Sequence, residues 1–319
     1  MAAGPSVAIL DDYQRIAQKT VDWEQAALAV TAFDRHISDV DELVDALDGF
    51  EIVVAMRERT PFPAEVLRRL PDLQLLVTTG ARNDAIDVAA AAAAGIVVCG
   101  TDSLISPTVE LTWGLILAVR RHIVAEDVAI RAGGWQTTIG DGLEGCTLGL
   151  LGLGRIGSRV ATVAQAFGMH TIAWSQNLTV QRAAGLGVTA VSKPALFADA
   201  DIVSVHLRLS ARTRGMVGAA ELRSLGPQGS LVNTSRAGIV DREALLDALD
   251  TGMLGGAGLD VYEQEPLPAD DALRSAPATV VTPHLGYVTR QNYEVFFRGA
   301  LEDIEAFLDG KPIRVLPAP

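Results

Sequence analysis

The sequence predicts an α/β protein made of two doubly wound parallel sheets, on three observations. The chain is 319 residues long, more than one small core organises. Short apolar runs alternate with stretches of helical periodicity from end to end, the pattern of right-handed βαβ crossovers. A glycine-rich turn at residues 152–157 opens a second such series in mid-chain.

In order, VAIL (7–10), EIVVAM (51–56) and LQLLVTT (73–79) predict buried strands, and DVDELVDAL (39–47) and PAEVLRRL (63–70) predict helices between them. DAIDVAAAAAAG (84–95) predicts an alanine-rich helix that stops at Gly95. A long helix is expected from about Pro107 to Arg131, entered through Ser106 with proline at its first position. The segment 131–145 is glycine-rich and irregular. TLGLLGLG, HTIAWS, DIVSVHL, GSLVNTS, GGAGLDVY and TVVTPHLG then predict a second set of strands, and a final helix runs from about Arg290 to Leu308. The break between the series falls near residue 101, and no repeat of 20–50 residues is visible.

Composition narrows the function classes. With 39 acidic and 26 basic residues the formal net charge is −13, and three of the basic residues are lysines, Lys19, Lys193 and Lys311. Such a surface argues against nucleic acid or an anionic membrane as partner. Hydrophobic residues at 49% and charged residues at 20% describe a globular chain. Two cysteines, Cys99 and Cys146, make no disulfide framework, so a reduced, cytoplasmic protein is expected. The start MAAGPSVAILDDYQ lacks the basic and apolar regions of a signal peptide. The apolar run Leu111–Val119 is broken by Arg120 and Arg121 and is too short to span a bilayer.

Gly152, Gly154 and Gly157 have GxGxxG spacing between an apolar strand and a small-residue helix, the context a dinucleotide site requires. Gly152 permits the turn, Gly154 the approach of a pyrophosphate, and Gly157 the packing of helix on strand. Arg155 and Ile156 complete the loop. The ribose-binding carboxylate of an NAD site is expected about 20 residues on. Ser175 stands there, followed by Gln176 and Asn177, and a 2′-phosphate would meet no repulsion. The cofactor is therefore NAD or NADP, with a lean to NADP, and Arg155, Arg182 and Arg208 are candidates to reach the phosphate.

The five histidines, His36, His122, His170, His206 and His284, show no spacing that suggests a metal site, and no Gly-x-Ser-x-Gly elbow occurs. A nicotinamide enzyme acting on an alcohol or ketone needs a proton donor and acceptor near the hydride, for which histidine suits, and a cation if the substrate is a carboxylate, for which arginine suits. SLVNTSRAGIVD supplies Arg236, GAGLDVYEQEP supplies Asp260, Glu263 and Glu265, and VVTPHLGY supplies His284, each after a strand-like run. In a parallel sheet these strand ends line the ligand crevice.

LGLLGLGRIG, DIVSVHLRLSARTRGMV, GSLVNTSRAGIVD, LGGAGLDVYEQEPLP and VVTPHLGYVT, in that order, resemble the D-isomer-specific 2-hydroxyacid dehydrogenase family; TTGARNDAIDVAAAAAAGIVV and PTVELTWGLILAVRR are weaker matches. The resemblance implies two Rossmann-like domains with an active-site cleft between them. Residues 1–100 plus 288–319 would be the discontinuous substrate-binding domain, and 101–287 the dinucleotide-binding domain. It implies that Arg236 binds the substrate carboxylate and carbonyl oxygen, that His284 is the acid–base, and that Glu265 pairs with it and favours the imidazolium. Asp260 would lie near the nicotinamide carboxamide, with His206 and Thr234 in the cofactor pocket and Glu263 at the surface. TTGARN would match the loop whose backbone N–H groups hold the carboxylate, assigning Gly80, Ala81 and Arg82 to substrate, with Arg57 as a further candidate.

The implied reaction is hydride transfer between NAD(P)H and a 2-oxoacid or D-2-hydroxyacid, of glyoxylate or hydroxypyruvate type or longer. The implied assembly is a homodimer through the dinucleotide domain, including the helix near 107–131. Glu265 stands where formate-oxidising relatives have Gln, and the small regulatory domain of some phosphoglycerate dehydrogenases is not expected after Pro319. Two other readings compete: an NAD(P)H-sensing binding protein of corepressor type on the same fold, and a metal-dependent alcohol dehydrogenase, which needs ligand clusters this sequence lacks.

Overall fold

The computed structural model describes residues 4–318. The first three residues of the start inspected for a signal peptide lie outside them. The chain forms two compact units, Met1–Leu104 with Thr289–Pro319, and Ile105–Val288.

The first unit alternates β1 (Ser6–Ile9), α1 (Ala17–Thr20), β2 (Ala29–Ala32), α2 (Val40–Ala46), β3 (Ile52–Ala55), α3 (Ala64–Arg68), β4 (Leu75–Thr78), α4 (Val88–Ala93) and β5 (Val97–Gly100). All strands are parallel, in the order β2-β1-β3-β4-β5. Every residue of β3 and β4 is buried, as expected of strands with helices on both faces. The sequence reading missed β2 and β5. Strand β2 lies at the sheet edge, with alternate residues exposed, so its apolar signal is weak. Asp39 and Asp87 cap α2 and α4 by accepting from the backbone N–H groups of Glu42 and Ala90.

The second unit holds α5 (Ser106–Arg120), α6 (Ile123–Arg131), β6 (Thr147–Leu151), α7 (Arg155–Ala166), β7 (His170–Trp174), α8 (Val180–Ala184), β8 (Thr189–Ala190), α9 (Lys193–Asp199), β9 (Ile202–Val205), α10 (Ala219–Leu225), β10 (Ser230–Asn233), α11 (Arg242–Asp250), β11 (Gly256–Leu259) and β12 (Thr279–Val281). Its parallel sheet has the order β12-β11-β10-β9-β6-β7-β8. Read from β8, this is the dinucleotide-binding order extended by one strand, with the reversal between β6 and β9. The expected helix from 107 to 131 is a correction: it is two helices, divided at His122, whose φ of +53° no helix continues. Neither glycine nor proline marks that break, so local sequence does not announce it. The last helix, α12 (Arg290–Leu308), returns to the first unit and is capped by Thr289. No helix among the described residues is long and apolar enough to cross a membrane.

Candidate active site

The glycine loop joins β6 to α7. Gly152 has φ +110°, and a Cβ on it would lie 2.7 Å from the His206 carbonyl oxygen; a Cβ on Gly157 would lie 2.2 Å from that of Gly152. Any side chain at either position would force the turn open. A Cβ on Gly154, in contrast, would meet nothing within 4 Å, so the space above the loop is open to a ligand. The backbone N–H groups of Leu153 to Gly157 have no partner among the described residues. Five unpaired donors at a helix N-terminus with open space above fit a pyrophosphate. Arg155 and Ile156 open α7, and Arg155 is exposed.

Ser175 follows the last residue of β7, and Trp174 pairs with Leu151 of β6, so Ser175 stands beside Gly152 at the sheet edge. Gln176 and Asn177 are exposed, and no carboxylate occupies this strand end. Of the three candidate arginines, Arg182 on α8 reaches back to the glycine loop, its Nη2 donating to the Leu153 carbonyl at 3.4 Å. Arg208 is exposed beyond β9.

A histidine–carboxylate cluster forms at the ends of β10, β11 and β12. Asn233, Leu259 and Val281 are in register across β10, β11 and β12, so the residues just beyond them share one edge. His284 has φ +53°, and its Nδ1 lies 2.7 Å from Glu265 Oε2. Both side chains are about four-fifths buried, which strengthens the pair relative to one in water. Glu265 Oε1 accepts from the Tyr262 backbone N–H at 2.9 Å, fixing the carboxylate from its other side. Tyr262 donates its hydroxyl to the Leu259 and Thr282 carbonyls, and burial pushes its pKa up, which keeps it a donor. The His284 ring meets Tyr287 edge to face, with centroids 5.5 Å apart.

Asp260 is fully buried. Its Oδ1 accepts from Thr282 Oγ1 at 2.6 Å and the Leu285 N–H at 2.7 Å, and its Oδ2 from the Gly286 N–H at 2.8 Å. Burial raises its pKa against the pull of these donors. The carboxylate clamps the loop that carries His284. Arg236, half-buried after β10, donates Nη1 to the Ser235 carbonyl at 2.9 Å. The Asn233 amide accepts from the Ser235 N–H and donates to the Arg236 carbonyl, both at 3.0 Å, so Arg236 starts from a fixed backbone. Thr234 is buried with its hydroxyl 2.8 Å from Thr112 Oγ1; since Thr112 donates to the Thr108 carbonyl, Thr234 is the donor between them. His206 lies under the glycine loop with Nε2 2.9 Å from Ser204 Oγ. The residue keeps some exposed surface, but its surroundings are dense protein, and burial lowers its pKa to about 4. A neutral His206 suits support of the loop. Glu263 is exposed.

In the first unit, the reversal of strand order lies between β1 and β3. Arg57, after β3, has φ +53°. Its N–H donates to Thr79 Oγ1 at 3.0 Å, and its carbonyl accepts from Asn83 Nδ2 at 2.6 Å. Gly80 differs from the expectation in detail: its N–H is spent on Thr101 Oγ1 at 2.8 Å. Its contribution is the missing side chain, because a Cβ there would lie 2.0 Å from Arg57 Nη1. Ala81 and Arg82 are exposed, and the N–H groups of Ala81, Arg82 and Asn83 have no partner among the described residues.

Sequence reasoning missed Asn83 and Asn233, which hold the backbones of Arg57 and Arg236. Both stand inside quoted motifs, TTGARN and NTSRAG, and an amide that can donate and accept beside an arginine was the available signal.

The family described as D-isomer specific 2-hydroxyacid dehydrogenase, NAD binding domain, matches residues 113–286. A glycerate dehydrogenase of Methylorubrum extorquens is 35% identical over 290 residues, 87% of this chain and 89% of that protein. A glyoxylate reductase of Aeropyrum pernix is 37% identical over 257 residues, 77% of each. The crystal structure of a phosphoglycerate oxidoreductase from Vibrio cholerae superposes with a TM-score of 0.92 at 38% identity, covering 96% of this chain and 99% of that one. The chain belongs to the D-isomer specific 2-hydroxyacid dehydrogenase family, and it is an NAD(P)-dependent oxidoreductase of D-2-hydroxyacids and 2-oxoacids.

Proposed function

We propose that Arg236, Glu265 and His284 carry the reduction of a 2-oxoacid to its D-2-hydroxyacid, and the reverse oxidation. The observation that carries this reading is the 2.7 Å His284–Glu265 pair on the same sheet edge as the glycine loop. NAD(P)H, when bound, supplies the hydride. Glu265 Oε2 holds the Nδ1 proton of His284 and orients the ring, so that Nε2 delivers a proton to the carbonyl oxygen. In the oxidative direction Nε2 receives it. Arg236 grips the substrate carboxylate and carbonyl oxygen with its planar fork. Residues 101–287 bind the dinucleotide, through Gly152, Gly154, Arg155, Ile156 and Gly157, with Ser175, His206, Thr234 and Asp260 around the remainder. Residues 1–100 with 288–319 bind substrate, the N–H groups of Ala81, Arg82 and Asn83 cradling its carboxylate.

The preferred coenzyme is NADP. Two observations support this: no carboxylate at Ser175, and Arg182 within reach of the glycine loop. A homodimer forms through α6 and the following segment. No residue of α6 is buried, while Val128 is 62% and Ile139 95% exposed, an apolar surface that a monomer rarely keeps. Val128→Glu is expected to shift the sedimentation coefficient toward the monomer; an unchanged value would remove α6 from the interface. A cytoplasmic setting suits the free Cys99 and Cys146. The function is tested by steady-state oxidation of NADPH and NADH with a panel of 2-oxoacids from glyoxylate upward. Turnover with at least one is expected, and cofactor binding without turnover on any would favour a dinucleotide sensor.

A further inference from the structure

Resting on the reading above that the N–H groups of Ala81, Arg82 and Asn83 hold the substrate carboxylate, we propose that Arg314 and Leu316 are positioning residues for that turn. The segment after α12 is a strap, and its place against β5 sets where the turn stands.

Strand β5 is the outer strand of its sheet, and Val315 pairs with Cys99 in the antiparallel sense. The Leu316 N–H donates to the Val98 carbonyl at 2.8 Å, and the Gly100 N–H donates to the Arg314 carbonyl at 3.1 Å. Backbone pairing of this kind is enough to cover a sheet edge. The lock at Arg314 is an addition to it. Arg314 stands at φ +50°, and its guanidinium spends all three nitrogens on α12. Nε donates to Asp303 Oδ1, Nη1 to Glu302 Oε2 and Nη2 to the Gly299 carbonyl, each at 2.9 Å. Asp303 is fully buried, and its Oδ2 has no partner among the described residues. Separating Arg314 from it would leave a buried carboxylate uncompensated, so the strap is fixed to the helix.

From this lock two lines of contact lead to the turn. The first runs through Gly299, where a Cβ would lie 3.0 Å from Thr101 Cβ, so its bareness lets α12 close on Thr101. Thr101 Oγ1 in turn accepts the Gly80 N–H at 2.8 Å. The second line runs through Leu316, which packs against the core of this unit. A Cβ on Gly100 would lie 2.7 Å from the Gly80 carbonyl oxygen, 3.5 Å from the Ala81 carbonyl carbon and 3.3 Å from Leu316 Cδ2. The strap's side chain and the turn's backbone therefore crowd one spot beside Gly100, with no side chain between them. Gly80 is thus held at its N–H by Thr101 and backed at its carbonyl by Gly100 and Leu316. The three N–H groups that follow it are open among the described residues and take their direction from it. Asn83 fixes the far end of the turn, its Nδ2 donating to Thr78 Oγ1 at 2.9 Å. Ala81 and Arg82 are exposed, so the turn is supported from its ends and from beneath.

The test measures kcat, the KM for a 2-oxoacid that the native enzyme turns over, the KM for the coenzyme, and Tm. Leu316→Ala is expected to raise the KM for the acid about five- to twentyfold and to leave kcat and the coenzyme KM near their native values, the signature of a lost ground-state hold on the carboxylate. Leu316→Met refills the volume and should bring the acid KM back. Arg314→Lys keeps a charge beside Asp303 but cannot reach all three acceptors, and it should raise the acid KM in the same direction. A strap that only stabilises the fold would lower Tm and the amount of active enzyme without moving the acid KM. An acid KM unmoved in both Leu316→Ala and Arg314→Lys, or one that rises together with the coenzyme KM, would overturn the positioning role alone. No turnover of any acid by the native enzyme with either coenzyme would overturn the functional reading and the positioning role with it.

Discussion

The two sheets are wound alike, yet their carboxyl edges carry different chemistry. In the Ile105–Val288 unit that edge holds a glycine loop with five N–H groups unpaired among the described residues, a largely buried histidine–glutamate pair and a clamped aspartate. In the other unit it holds a left-handed arginine, a glycine that makes room for it and a short run of free amides. Both edges sit where strand order reverses, β6 to β9 in one and β1 to β3 in the other. Both also put a non-glycine residue into the left-handed region, His284 and Arg57, each fixed by neighbouring hydrogen bonds. In the proposed reading one architecture separates labour: one edge would handle dinucleotide and proton, the other the substrate.

The sharpest way to break this division is to remove the proton carrier. His284→Ala should retain coenzyme binding and lose ketone reduction by about 10²–10⁴-fold. Near-normal turnover would take His284 out of the mechanism. Arg236→Lys keeps the charge but loses the planar fork, and a fall in kcat/KM of about 10²-fold is expected. A lysine variant that matches the native enzyme would place the carboxylate anchor elsewhere.

These predictions draw on the half of the molecule that the sequence makes easiest to read. Buried parallel strands such as Ile52–Ala55 and Thr147–Leu151 are continuous apolar runs, so sheet and crossover were legible from periodicity. The glycine loop was legible because its three glycines are close together, and Gly152 and Gly157 each answer a steric demand. The substrate edge was less so. Arg57, Asn83 and Thr101 are brought together by three different strands, and nothing local says that Gly80 spends its N–H on Thr101. Edge strand β2 and the break at His122 were lost for the same reason: packing decides them, and neither carries a strong local signal.

Coenzyme choice sharpens the comparison within the dinucleotide edge. Ser175→Asp sets a negative charge beside Gly152, where a 2′-phosphate would sit, and offers an acceptor to a ribose hydroxyl. The NADPH to NADH ratio of kcat/KM should fall by about tenfold or more, a ratio that corresponds to ~1.4 kcal/mol. An unchanged ratio would show that position 175 does not face the ribose. The smallest effect expected concerns His206. Burial lowers its pKa from the ordinary 6.5 to about 4, so the folded state binds the proton less readily than the unfolded one. The stability this provides is present above pH 6.5 and is lost as pH falls toward 4. His206→Gln should therefore lose less melting temperature between pH 7 and pH 4.5 than the native chain. Parallel losses in calorimetry would place the acid sensitivity elsewhere.

The central claim, that this edge delivers hydride and proton to a 2-oxoacid on one face, is tested most directly by the chirality of the product. A 2-oxoacid that the enzyme turns over with NADPH or NADH should yield the D-2-hydroxyacid, resolved by chiral chromatography of the reaction mixture. Formation of the L-acid, or of a racemate, would contradict it.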